Sequence, residues 1–131
     1  MLSSASKHAL VILQYLARQD GKSFHSVSEI AKSTETPSPY LSKLVKELSW
    51  LGILESKRGA GGGIRLSDKA KKLSIYDLCE AMKDPVVKQE CVLRNAPCNP
   101  NSPCSFHKKY GETRKNLLQF LRDTRVTTLP T

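Results

Sequence analysis

Apolar residues recur at helical spacing in five stretches of the chain, and two short runs between them read as strands. The first stretch, residues 4–20, places Ala9, Leu10, Ile12, Leu13, Leu16 and Ala17 three and four apart, with Gly21 where a C-terminal cap would stand. Ser26-Val27-Ser28-Glu29 is a capping-box pattern that opens a short helix through Ile30 and Ala31 to about Ser33. After the polar turn Thr34-Glu35-Thr36-Pro37, Ser38-Pro39 reads as an N-cap followed by proline at the first helical position. Tyr40, Leu41, Leu44, Val45, Leu48 and Leu51 then form an apolar stripe that Gly52 ends, while Ser42, Lys43, Lys46 and Glu47 occupy the opposite face. Two helices joined by a short turn, the second with a polar and basic outer face, form a helix-turn-helix pattern.

Strand-like runs at 53–57 and 63–67 flank Arg58-Gly59-Ala60-Gly61-Gly62-Gly63, so a basic hairpin, a wing, is expected directly after the second of those helices. Its glycines permit positive φ and close backbone approach, here toward phosphate. The run lacks the strand-then-helix setting and the Gly-Lys-Ser/Thr ending of a nucleotide-phosphate loop. Lys69-Ala70-Lys71-Lys72 leads to another capped start at Leu73-Ser74-Ile75-Tyr76-Asp77, a helix running to about Met82 and ended by Asp84-Pro85. Residues 105–124 predict a long helix with Phe106, Tyr110, Thr113, Leu117, Phe120 and Leu121 along one seam. A helix of about 20 residues is about 30 Å long, more than one small domain covers, so the seam is expected to meet a second copy of the chain. Residues 126–131 read as a frayed tail.

The fold class expected is therefore mainly α with a small β-hairpin wing: a winged helix-turn-helix over residues 1–72, then a loop and dimerisation helix over 73–131. The 131 residues suit this one compact arrangement. Charge sharpens the picture. Lys and Arg number 21 against 12 Asp and Glu, a net +9, of which residues 1–72 carry +6 and the remainder +3. That excess favours a polyanion, nucleic acid before an anionic membrane surface. No apolar run approaches the roughly 20 residues of a membrane span, and no small-residue cleavage site precedes Arg18 and Asp20, so a cytoplasmic protein is expected.

The segment from Cys91 to Ser105 fits no regular element, since three prolines interrupt it. Cys91, Cys98 and Cys104 are separated by six and five residues, and His107 follows Cys104 at Cys-x2-His spacing. Three soft thiolates and an imidazole suit an iron–sulfur cluster or a zinc ion. The alternative is three ordinary free thiols beside a surface histidine, disfavoured because the loop has little apolar content to bury them. Cys79, beside Leu78 on an apolar face, reads as a buried structural thiol. No Ser-His-Asp arrangement, paired carboxylates, dinucleotide fingerprint or zinc-protease helix is present, so no enzyme is expected.

The helix-turn-helix, the wing Arg58-Gly59-Ala60-Gly61-Gly62-Gly63-Ile64-Arg65-Leu66 after Leu51-Gly52-Ile53-Leu54, and the three-cysteine loop together resemble the Rrf2 family of winged-helix transcription regulators. The cysteine trio is similar to that of its cluster-binding branch, the IscR-, NsrR- and RirA-like members. The resemblance spans about residues 4–124. It implies a homodimer on a palindromic DNA operator, with base-reading candidates Ser38, Tyr40, Ser42 and Lys43 and phosphate or groove candidates Lys46, Arg58 and Arg65. Ser42 stands where the IscR-like pattern has a base-tuning glutamate, so the operator sequence is expected to differ. The resemblance further implies ligation of an iron–sulfur cluster, 2Fe–2S favoured and 4Fe–4S admitted, by Cys91, Cys98, Cys104 and His107. Cys91 to Cys98 is one residue longer than the common spacing. Lys7 and His8 stand where NsrR-like members have a ligating carboxylate, which favours His107 as fourth ligand. The implied function is a regulator, most simply a repressor, that senses redox, iron or nitric oxide status. The alternative is a cluster-free regulator of the same fold responding through thiol oxidation, zinc or a protein partner.

Overall fold

The computed structural model describes residues 1–88 and 90–130. Its order is α1 (Ser4–Ala17), α2 (Val27–Thr34), α3 (Ser38–Trp50), β1 (Leu54–Lys57), β2 (Gly63–Leu66), α4 (Asp68–Lys72), α5 (Ile75–Ala81), a 3₁₀ turn (Pro85–Val87) and α6 (His107–Asp123). This is the expected winged helix-turn-helix followed by a long C-terminal helix. None of the described helices is long and apolar enough to cross a membrane.

Local chemistry explains where each helix begins and ends. Ser3 caps α1 by accepting from the Ser6 N–H at 3.2 Å. The helix ends at Ala17, short of the expected Asp20, because the Asp20 carboxylate captures the N–H groups of Lys22 and Ser23 at 2.9 and 2.8 Å and folds that stretch into a turn. Ser26 caps α2 through the Glu29 N–H at 3.1 Å, but the Glu29 carboxylate does not return to Ser26. It accepts from the Tyr15 hydroxyl at 2.6 Å and binds His25 Nδ1 at 2.7 Å, so only half of that capping box forms. At α3 the N-cap is Pro37, not Ser38: the first turn closes from the Leu41 N–H to the Pro37 carbonyl at 2.9 Å, and no side chain caps it. Ser74 and Asp77 form the complete reciprocal box of α5.

The wing pairs β1 and β2 antiparallel, Leu54 opposite Leu66 and Lys57 opposite Gly63. A third segment joins it, because His25 and Ile64 exchange two backbone hydrogen bonds of 2.8 Å each. That exchange requires glycine next door. A Cβ on Gly63 would lie 2.1 Å from the His25 carbonyl oxygen, and its φ is +143°. One on Gly62 would lie 2.3 Å from the Lys57 carbonyl oxygen. These two glycines thus admit the protein's own backbone, a tighter constraint than the phosphate approach expected of them.

Ser67 caps α4, a one-turn helix that the lysine-rich sequence had not marked; its hydroxyl also donates to the Gly52 carbonyl at 2.6 Å. The expected frayed tail is overturned at its start. Val126 is fully buried, its N–H donating to the Leu73 carbonyl at 2.9 Å, while the Ile75 N–H donates to the Thr124 carbonyl at 2.8 Å. Gln14 in α1 donates to the Val126 carbonyl at 2.6 Å. Leu129 and Pro130 beyond it are exposed, and Thr131 lies outside the described residues. One hydrophobic cluster takes Ile12, Leu13, Leu41 and Leu48 from the first block and Leu78, Leu121 and Val126 from the second. Along α6, Leu118 and Leu121 turn inward, Leu117 is half-buried, and Phe106, Tyr110 and Phe120 remain exposed.

Gly63→Ala is expected to lower unfolding free energy by about 2–4 kcal/mol, through both the left-handed φ and the clash with His25. Gly111→Ala, on an open helical position of α6, is expected to raise it by up to about 1 kcal/mol. Urea denaturation checks both, and a Gly63→Ala protein as stable as the parent would contradict the backbone-contact account.

Candidate nucleic-acid surface and cysteine loop

Burial of Leu41, Leu44, Val45 and Leu48 turns the opposite face of α3 to solvent. Ser38, Ser42, Lys43 and Lys46 are exposed on that helix, as is Arg58 at the wing turn. The other two expected DNA-binding residues are engaged within the protein. Tyr40 is half-buried, its ring edge-on to His8 with centroids 4.9 Å apart. Arg65 donates from Nε to Glu55 at 2.9 Å and from Nη1 to the Lys22 carbonyl at 2.9 Å, with its guanidinium 4.3 Å above the Phe24 ring. Arg65 therefore stitches the wing to the α1–α2 connection. Beside it, the Tyr15 hydroxyl and then His25 hold the Glu29 carboxyl below the usual carboxylate range, while Glu29 raises the Tyr15 hydroxyl. Sequence reasoning passed over Trp50, which is 87% exposed at the end of the same helix; its place opposite the apolar stripe was the available signal.

The cysteine loop runs between the 3₁₀ turn and α6. Few backbone bonds organise it: the Cys91 N–H donates to the Ala96 carbonyl at 2.9 Å, and Glu90 bridges to Pro97. Arg94 Nη1 reaches the Ser102 carbonyl at 3.1 Å, and Arg114 of α6 donates to the Lys88 carbonyl at the loop's entrance. Cys91, Cys98 and Cys104 are all half-buried. The Leu93 N–H points at Cys91 Sγ from 3.4 Å. It and the Arg94 N–H hold the Cys91 thiol below its ordinary range, with the Cys104 thiol close enough to add to the effect. Cys98 instead shares a cavity of about 410 Å³ with His107, Arg114 and Arg122 along α6. Of the four expected ligands, Cys91 and Cys104 thus lie close together while Cys98 and His107 line a separate cavity, and among the described residues no group of three or more His, Cys, Asp or Glu is gathered around one point.

Cys79 behaves differently. Burial first, and the Asp84 carboxylate second, push its thiol up to about 11. Asp84 is itself buried; its burial is outweighed by the Ser6 hydroxyl and by the Val86 and Ser3 N–H groups, which keep its carboxyl low. The Ser3 N–H reaches Asp84 Oδ2 at 2.9 Å, so the first turn of α1 is tied to the segment that enters the cysteine loop.

Iodoacetamide at neutral pH, with peptide mapping by mass spectrometry, is expected to label Cys91, Cys98 and Cys104 and to spare Cys79 until the protein is denatured. Labelling of native Cys79 at the rate of the loop cysteines would contradict its assignment as a closed, neutral thiol.

A profile of the Rrf2 family, described as iron-dependent transcriptional regulators, matches residues 2–130. An HTH-type transcriptional regulator of Aquifex aeolicus is 31% identical over 131 residues, covering 98% of this chain and 90% of that protein. The HTH-type transcriptional regulator NsrR of Shouchella clausii is 30% identical over 129 residues, covering 98% and 87%. The solved structure of CymR, the global cysteine regulator of B. subtilis, matches with a TM-score of 0.77 at 25% identity over 96% of this chain and 92% of that one. All three are regulators by name, and none is named as an enzyme.

Proposed function

The chain belongs to the Rrf2 family of DNA-binding transcription regulators, and from that premise we propose that it is a homodimeric repressor whose DNA affinity is set by an iron–sulfur cluster on its cysteine loop. Residues 1–72 form the DNA-reading part and 73–131 the sensing and dimerising part. The observation that carries the proposal is the concentration of Cys91, Cys98, Cys104 and His107 in and beside a proline-rich loop with few backbone hydrogen bonds of its own. Such a segment takes its order from ligation.

The donor chemistry fits. Three half-exposed thiols, one of them held below its ordinary pKa by the Leu93 and Arg94 N–H groups, and an imidazole lie within a segment held at both ends. Cys91, Cys98, Cys104 and His107 would hold the cluster, 2Fe–2S favoured over 4Fe–4S. When bound, the cluster supplies a centre that responds to oxidants, iron supply and nitric oxide. The protein's part is mechanical: a loop ordered or released at the N-terminus of α6 changes how that helix meets its partner copy. Phe106, Tyr110 and Phe120, left exposed along α6, supply the apolar seam for that contact.

In the DNA-reading part, Ser38, Ser42 and Lys43 lie on the outer face of α3 to meet base edges in the major groove, with Tyr40 oriented by His8 beside them. Lys46 and Arg58 meet phosphates, and each wing follows a flanking minor groove of a palindromic site. Arg65 serves this surface by holding the wing, through Glu55, the Lys22 carbonyl and Phe24.

A second reading has its own support. The lowered Cys91 thiol beside Cys104 also suits a cluster-free regulator that responds by reversible thiol oxidation, and the neighbour CymR is a cysteine regulator by title. Metal content separates the two, zinc included.

Anaerobically purified protein is expected to be brown and to contain iron and acid-labile sulfide, and Cys91→Ala, Cys98→Ala and Cys104→Ala are each expected to lose both with helical content unchanged by circular dichroism. A folded, colourless parent that resists reconstitution would overturn the cluster reading and favour the thiol one; zinc in its place would assign the loop to that metal. Lys46→Ala is expected to weaken binding to any duplex and to make the slope of log K against log salt shallower by about 0.9 for each phosphate it no longer neutralises. An unchanged slope would remove Lys46 from the phosphate-binding residues.

A further inference from the structure

Trp50 is the single tryptophan of the chain, and among the described residues only Met1 of the large apolar side chains is more exposed. It projects from the C-terminal end of the outward face of α3. At 100° per residue, Lys43, Lys46 and Trp50 fall within about 60° of one another, with Trp50 about 6 Å along the axis from Lys46. The indole forms one wall of a groove of about 450 Å³, whose far side is Met82 and Lys83 from the end of α5. Three ammonium groups, those of Lys43, Lys46 and Lys83, border the groove against one carboxylate, that of Glu47. Lys83 is held at this position by the turn that closes α5: its φ is +57°, its N–H donates to the Glu80 carbonyl at 3.1 Å, and the next N–H, of Asp84, donates to the Cys79 carbonyl at 2.8 Å.

Three features of this groove name its occupant. Its charge calls for a polyanion. Its position continues the outward face of α3, where Ser42, Lys43 and Lys46 meet DNA in the proposed function. The end of a recognition helix lies about 18 Å from its start, where a helix entering the major groove with its N-terminal residues has risen to the level of the backbone. An indole suits that level, since its Nε1–H is a donor without acceptor capacity and its flat face covers a deoxyribose ring. Resting on the DNA-binding reading of α3, we propose that Trp50 and Lys83 grip the sugar–phosphate backbone beside the bases that α3 reads. Lys83 thereby brings a cation from the sensing half of the chain, one residue before Asp84, onto the same stretch of DNA.

The test uses the full-length protein, a fluorescently labelled mixed-sequence duplex about three helical turns long, and low salt. Anisotropy of the label reports binding, and emission from Trp50 reports the groove. The expected result is a shift of Trp50 emission to shorter wavelength, tracking the anisotropy curve. Trp50→Ala is expected to weaken binding roughly three- to tenfold, the size of a single hydrogen bond, with Trp50→Phe between it and the parent. Lys83→Gln should make the salt slope shallower by about 0.9 for each phosphate left without its cation. Duplex binding with unchanged emission and parent-like variants overturns the inference while leaving the DNA-binding reading of α3 in place. Absence of binding by anisotropy overturns that reading and the inference with it. An emission shift that follows protein concentration without DNA assigns the groove to self-association, and overturns the inference as well.

Discussion

The cysteine segment is held at both ends by the same short backbone pairing. Ile75 N–H to Thr124 and Val126 N–H to Leu73 join the start of α5 to the end of α6, so the roughly fifty residues between them form a closed loop on the domain. Val126 fills the core beneath the clasp, and Gln14 of α1 donates to its carbonyl. A second tie lies on the other side, where buried Asp84 accepts from the first turn of α1. These two anchors tie the loop to α1 and to α6, and they are the route by which, in the proposed function, its state reaches α3.

The winged helix-turn-helix follows a parallel logic built on Gly63. The exchange between His25 and Ile64 fixes the wing against the α1–α2 connection, and Arg65 reinforces it through Glu55, Lys22 and Phe24. The wing is thereby tied to the connection that precedes α2. The charge of α3 and the wing is placed where the frame leaves freedom: Lys43, Lys46 and Arg58 extend into solvent, while Arg65 is consumed by the frame.

How far these features were legible in the sequence depends on whether each signal was local. Hydrophobic spacing located α1, α3 and α6, and Gly52 and the Ser74–Asp77 pair marked true boundaries because caps act within one turn. The Ser26–Glu29 pair misled by half, since Tyr15 and His25, distant in the chain or outside the motif, compete for the same carboxylate. Ser38 yielded the cap of α3 to Pro37, a one-residue shift that no propensity resolves. Val126 reads as part of a loose tail because the backbone partner that buries it is some fifty residues away. The cysteine trio was plain from composition, but that Cys91 lies beside Cys104 while Cys98 lines a cavity along α6 is a matter of loop geometry that spacing does not carry.

The central claim is that the state of the cysteine loop is coupled, through the clasp and α6, to the affinity of α3 for DNA. It is tested most directly by measuring duplex affinity for one preparation before and after loading with iron and sulfide, at fixed salt and under anaerobic conditions. The predicted result is a change of roughly 5–150-fold, a coupling of about 1–3 kcal/mol, that disappears in Cys91→Ala. Equal affinity of the loaded and unloaded forms would contradict it.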